Sequence, residues 1–145
     1  DPLWSRGLGD VYKRQGDTFG LADGASIING VTKGAPVKAV MGIMNTTPFA
    51  VIMREDANVK NIKDLEGKTI AATAGEAGLT IMPALFKANK LDESKINFLR
   101  VDGATKLVAA LEGRSQGLLG GSENQPFLLE QKGLKTTVLN YADTV

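Results

Sequence analysis

The chain has 145 residues and a formal net charge of +1, with 43% hydrophobic and 23% charged residues, the balance of a globular domain able to bury one core. No stretch concentrates Lys or Arg, so nucleic acid is not indicated as a partner. With no cysteine and no histidine, thiol nucleophiles, disulfides, Cys/His zinc sites and imidazole acid–base catalysis are excluded from this chain, and no apolar run approaches the roughly 20 residues that span a bilayer.

Residues 1–15 show no helical or strand periodicity and lack the apolar run of a signal peptide. Asp10-Val11-Tyr12-Lys13-Arg14-Gln15 back-translates to the transposon end used in sequencing-library preparation. The segment is read as translated adapter and left out of the fold. On that reading the chain begins inside a gene, and the missing signal peptide carries no information about localisation.

From Gly16 the pattern is regular. Thr18 to Leu21 suits a short buried strand. Asp23 is placed to cap a helix running to Thr32, with Ile27, Ile28 and Val31 at helical spacing and Gly34 as its stop. Val37 to Met44 is expected as a mostly apolar strand, Asn45 to Pro48 as a loop and Phe49 to Met53 as a second strand. Asn61 caps a short helical turn ending at Gly67, and Lys68 to Ala72 is a further strand. After the loop Thr73 to Gly78 comes a helix to about Asn89, with Met82, Leu85 and Phe86 as its apolar stripe. Pro83 suggests that its regular part begins late or that its first turn is kinked. Ile96 to Val101 is a strand. Asp102 caps a helix that buries Leu107, Val108 and Leu111 and ends at Gly113. A strand over Gly117 to Gly120, a helix over Phe127 to Gln131 and a strand over Thr136 to Leu139 complete the series. The methionines at 41, 44, 53 and 82 lie in apolar patterns and are expected in the core, whereas Lys60, Lys63, Glu66 and Lys68 suit a solvated surface.

Strands alternating with short helices predict an α/β fold, a mainly parallel sheet with helices on both faces. Ligands of such sheets sit beyond the carboxyl ends of the strands. That rule nominates four loops: Ala22 to Gly24, Asn45 to Thr47, Ala74 to Thr80, and Gly121 to Gln125. In Thr73-Ala74-Gly75-Glu76-Ala77-Gly78-Leu79-Thr80, glycines and small residues let backbone N–H groups approach a ligand at a helix start. Physics alone favours a plainer reading, a strand-to-helix turn whose Glu76 caps its own helix. Glu123, Asn124 and Gln125 supply a carboxylate and two amides that can read amines and carbonyls on a ligand, or simply cap the next helix, and these two readings stand even. Asp23 most simply caps its helix and could also face a cleft. No nucleophile elbow, base–nucleophile pair or metal cluster is present in the sequence, so no catalytic residue, cofactor or metal is nominated.

The ordered series Phe19-Gly20-Leu21-Ala22-Asp23, Lys33-Gly34-Ala35-Pro36-Val37-Lys38-Ala39-Val40, Asp64-Leu65-Glu66-Gly67-Lys68-Thr69-Ile70, Pro83-Ala84-Leu85-Phe86-Lys87-Ala88-Asn89 and Gln125-Pro126 with Glu130 and Lys132-Gly133 resembles the nitrate/sulfonate/thiamine-pyrimidine (NMT/THI-like, SsuA/TauA-like) class of ABC substrate-binding proteins. The resemblance covers Gly16 to Val145. It implies a periplasmic-binding-protein type II (Venus-flytrap) fragment, one nearly complete lobe plus the tail of the other. Residues 16–46 would end lobe one, 47–140 would form lobe two and 141–145 would begin the return crossing. It implies a small solute and an ABC permease as partners, a monomer at full length, a periplasmic or lipid-anchored extracytoplasmic location, and no enzymatic activity. The ligand residues it implies are Asp23, Asn45, Thr46, Gly75, Glu76, Ala77, Gly78, Thr80, Glu123, Asn124 and Gln125. Family members often carry Ser or Thr where this chain has Glu76. That departure speaks against an anionic ligand and towards the thiamine-pyrimidine branch, whose amino groups need acceptors. The alternatives are a thiamine-pyrimidine synthase-like enzyme, against which the lack of histidine counts, and the effector domain of a transcription regulator.

Overall fold

The computed structural model describes residues 19–144, so the expected adapter segment and Thr18 lie outside it. The chain divides into two units between Ile43 and Met44. In the first, helix α1 (Gly24–Thr32) starts where the sequence places it. Asp23 accepts from Ser26 N at 2.9 Å and from Ser26 Oγ at 2.5 Å, and Gly34 follows the helix with a φ of +86°.

Two expected strands do not form. Residues 19–21 are unpaired coil with Phe19 80% exposed, and residues 37–44 are coil in which Val40, Met41, Ile43 and Met44 are exposed. Apolar pattern makes a segment suitable for a strand, but a strand exists only where a neighbour accepts its hydrogen bonds. Neither segment pairs with any described residue. Met41 and Met44 are therefore surface residues, whereas Met53 and Met82 are core as expected.

The second unit is a five-stranded sheet: β1 (Phe49–Arg54), β2 (Thr69–Ala72), β3 (Asn97–Arg100), β4 (Gly117–Gly121) and β5 (Thr136–Asn140). Their spatial order is β3-β2-β4-β1-β5. β2 runs parallel to β3 and β4, while β1 is antiparallel to β4 and β5. Four strands thus share one direction and β1 alone opposes them, a mixed sheet in place of a simple parallel one.

Alternation along the strands splits the core into two layers. Val51, Met53, Ile70, Ala72, Leu119 and Leu139 face helix α2 (Ala77–Asn89) through Met82, Leu85 and Phe86. Ala50, Ile52, Ala71 and Leu118 face helices α3 (Gly103–Leu111) and α4 (Gln125–Gln131) through Ala109, Ala110 and Leu129. On α3 the buried stripe is Lys106, Ala109 and Ala110. Leu107 and Leu111 pack at its margin, and Val108, expected inside, is exposed.

Helix α2 runs unbroken from Ala77, with Pro83 in its interior, so the late start does not occur. Pro83 withholds one N–H from the helix. It sits on the exposed side, opposite the buried Met82, Leu85 and Phe86, where water can serve the unpaired carbonyl of the preceding turn.

Short-range polar bonds close the remaining ends. Asn61 Oδ1 accepts from Lys63 N at 3.0 Å while Asp64 Oδ2 accepts from Asn61 N at 3.1 Å, a reciprocal cap. Asp102 Oδ1 accepts from Ala104 N and Thr105 N, and its Oδ2 from Thr105 Oγ1. The Thr105 hydroxyl first, then the backbone N–H of Thr105, hold the Asp102 carboxyl below the usual carboxylate range. Asp64 is lowered in the same way by the backbone N–H groups of Lys60 and Asn61. A folded-state pKa below the unfolded value gives stability that is full above the unfolded pKa and lost as pH falls through the folded one. The melting temperature should therefore drop on acidification below about pH 4, and Asp102→Asn should flatten part of that drop. An unchanged acid slope in the variant would show that the cap bonds carry none of it.

Candidate functional site

Because β1 opposes its neighbours, its first residue lies at the carboxyl edge of the other four strands: Phe49 pairs with Gly121, and Ala50 with Asn140. The loop before β1 therefore reaches the same edge as the loops after β2, β3, β4 and β5. Ser122 N and Oγ both donate to the Pro48 carbonyl, at 2.9 and 3.2 Å, and tie two of these loops together. Asn45, Thr46, Gly75 to Thr80 and Glu123 to Gln125 thus share one edge. Asp23 belongs to the first unit, where both its carboxylate oxygens are engaged by Ser26.

Within the edge the residues differ. Asn45, Thr46, Gly75, Thr80, Glu123 and Asn124 are exposed, Ala77 and Gln125 are half-buried and Gly78 is buried. Gly75 takes a φ of +77°, which turns the chain from β2 into α2 at a conformation that side chains with a Cβ rarely adopt. A Cβ at Gly120 would fall 1.6 Å from Gln125 Oε1, and one at Gly121 would fall 2.1 Å from Glu123 Oε2. The two glycines let these polar side chains lie back over the end of β4. Asn124 makes no side-chain capping bond, so the capping alternative for this loop is not what forms.

Glu76 does not cap its own helix either. Its Oε2 meets Lys106 Nζ at 2.5 Å. Lys106 is 5% exposed, and the Glu76 side chain is 19% exposed. Lys106 comes from α3 and Glu76 from the start of α2, so the ion pair joins the two helical layers across the sheet edge. A lysine so deeply placed needs such a partner, because burying the ammonium alone is expensive. On the other side Tyr141, 2% exposed, donates from its hydroxyl to the Gly78 carbonyl at 3.2 Å and stacks at a tilt against Phe49. Burial first, and the Glu76 carboxylate second, push its phenol pKa well above the ordinary value.

Five buried side-chain oxygens have no hydrogen-bond partner among the described residues, and three of them, Thr73 Oγ1, Glu76 Oε1 and Gln125 Oε1, lie at this edge. Lys106 and Tyr141 are the two residues that sequence reasoning passed over. Lys106 could have been found, since with Ala109 and Ala110 it repeats at the helical spacing of a buried stripe. A concavity beside β5, whose lining includes Lys60, Asn61, Asn89, Asn140, Asp143 and Thr144, contains none of the residues nominated from the sequence. Among the described residues no cluster of Asp or Glu is arranged to hold a metal, and no helix is long and apolar enough to cross a membrane.

The family model described as NMT1/THI5 like matches residues 10–145. The riboflavin-binding protein RibY of Chloroflexus aurantiacus is 28% identical over 135 residues, which are 92% of this chain and 38% of that protein. The periplasmic sulfonate-binding protein SsuA of Methylobacillus flagellatus KT superposes with a TM-score of 0.55 at 22% identity, over 64% of this chain and 28% of its own. SsuA of Xanthomonas axonopodis pv. citri, an alkanesulfonate-binding protein bound to MOPS, superposes with a TM-score of 0.54 at 18% identity, over 64% of this chain and 32% of its own. This chain therefore spans about a third of the length of these relatives, and the solved structures support the fold, a portion of the periplasmic-binding-protein type II architecture.

Proposed function

The chain belongs to the NMT1/THI5-like family, and from that premise we propose that it is part of the solute-binding component of an ABC importer, with the carboxyl-edge loops forming one wall of an interlobe cleft. Residues 47–140 are read as lobe two, 16–46 as the end of lobe one and 141–145 as the start of the return crossing. The protein would work outside the cytoplasmic membrane, capture a small solute without transforming it and deliver it to a permease.

The observation that supports the reading is the family match over residues 10–145, together with the gathering of the polar loops at one sheet edge. Glu76, Glu123 and Gln125 bring carboxylate and amide oxygens to these loops, so the solute we propose is a nitrogen heterocycle with amino or ring N–H groups, of the thiamine-pyrimidine kind. The names of the relatives point both ways, one to a flavin and two to sulfonates. Calorimetric titration of the product of the complete reading frame that carries this chain tests it, using a hydroxymethyl aminopyrimidine, riboflavin and ethanesulfonate. We expect the aminopyrimidine to bind, and Gln125→Ala to weaken it about tenfold, the worth of one buried hydrogen bond. Binding of ethanesulfonate alone would discard the heterocycle, and binding of none of the three would count against the solute-binding role.

A further inference from the structure

We infer that Gly121 is a specificity-determining residue: its missing side chain seats the Glu123 carboxylate over the end of β4, and the seated carboxylate selects solutes that donate N–H groups over anions. This rests on the functional reading above and adds to it a residue that has no side chain with which to touch a solute.

The placement follows from the strand itself. Side chains alternate across a strand, and in β4 Leu119 faces the α2 layer while Leu118 faces the layer of α3 and α4. Gly121 therefore shares the α2 face with Leu119, and Gly120 shares the other face with Leu118. The three heavy atoms nearest to a Cβ built on Gly121 are the two carboxylate oxygens and Cδ of Glu123, all within 2.4 Å. The carboxylate thus occupies the space that any other residue at 121 would fill with its own Cβ. Gly121 pairs with Phe49 at the carboxyl edge, on the face that carries α2, the helix opened by the Gly75–Thr80 loop. The Gln125 amide takes the corresponding seat over Gly120 on the opposite face, but there its Oε1 is buried. Glu123 is exposed, so of the two seats this is the one whose occupant a solute can reach. A carboxylate held at the edge attracts amino and ring N–H groups and repels a sulfonate. The same group swung out into water is screened and does neither strongly. Alanine at 121 would meet the end of a flexible side chain and no backbone among those nearest atoms, and the backbone there has no positive φ. The substitution therefore moves Glu123 and spares the strand.

The probes are a hydroxymethyl aminopyrimidine and riboflavin, which carry N–H donors, and ethanesulfonate, an anion. They are titrated calorimetrically into the product of the complete reading frame and its variants. In Gly121→Ala the affinity of whichever heterocycle binds should fall about tenfold, the worth of one hydrogen bond to a charged group, while that of ethanesulfonate does not fall. Glu123→Asp has an arm too short for the seat and should show the same split without any change in the strand, which keeps the test open if Gly121→Ala does not fold. Glu123→Ala should lose the same affinity, and adding Gly121→Ala to it should cost nothing more, because the group to be displaced is gone. Three results would each overturn the inference and leave the solute-binding role standing. These are equal losses for heterocycle and sulfonate, a heterocycle affinity that stays within about twofold in Gly121→Ala or Glu123→Asp, and losses that add in the double variant. Binding of ethanesulfonate alone by the unsubstituted protein would also overturn it. Binding of none of the three would overturn both the inference and the solute-binding role.

Discussion

Lys106→Met should lower the unfolding free energy by about 3 kcal/mol, because it leaves the largely buried Glu76 carboxylate without its counter-charge. The side chains of the pair are 6% and 19% exposed, so solvent can relieve only part of that loss. A surface pair would be worth no more than about 1 kcal/mol. Lys106 shares the buried stripe with Ala109 and Ala110, and methionine keeps most of the apolar volume of its methylene stem. The loss is therefore electrostatic. Adding Glu76→Gln should recover more than half of it, since a neutral amide needs no counter-charge. Urea denaturation measures both variants, and the shift should appear in the midpoint with the slope unchanged. If Lys106→Met cost less than about 1 kcal/mol, the pair would be behaving as a solvated contact.

The second large effect is expected at Gly117→Ala, at about 3 kcal/mol, the upper part of the range for overpacked cores. Gly117 opens β4 opposite Met53 of β1. A Cβ there would lie 2.3 Å from Met53 Sδ, 2.7 Å from the Ile52 carbonyl oxygen and 3.2 Å from Met53 Cα. The thioether could swing away, but the carbonyl and Cα belong to the strand and cannot move without disturbing the β1–β4 ladder. Since β1 is bonded on its other side to β5, a shift of β1 would be felt across the sheet and at the Asn45–Pro48 loop that precedes it. Gly103→Ala is the matching control. A Cβ at that position meets nothing within 4 Å, and stability should stay within about 0.5 kcal/mol. Equal losses in the two variants, read from thermal melts, would mean that backbone entropy and not contact governs Gly117.

What could be read in the sequence was local. Asp23, Asn61 and Asp102 each cap the turn that follows them, because a cap is a bond between residues two or three apart. The strands at Phe49, Thr69, Asn97, Gly117 and Thr136 follow from runs of apolar residues ended by turn formers. Where the same logic failed, at residues 19–21 and 37–44, the pattern was suitable and the partner strand was lacking. Pro83 failed in the other direction, since burial of Met82, Leu85 and Phe86 outweighs one missing helix bond.

For the site, the nomination of Asn45 and Thr46 shows the limit well. The sequence placed that loop after a strand over 37–44, which does not form, yet it reaches the carboxyl edge because β1 runs against its neighbours. Strand direction depends on which edges meet, a matter of pairings between residues tens of positions apart. Glu76 was likewise found from its loop, but its partner was not. A self-cap could be guessed from the adjacent helix, whereas the bond to Lys106 spans thirty positions. The sequence by itself determined the α/β class, the helix starts and the loops that carry polar groups, since these rest on contacts between near neighbours. Only the tertiary structure decided the direction of β1, the neutralisation of Glu76 and the burial of its free oxygen, because each depends on which distant segments the packed core brings together.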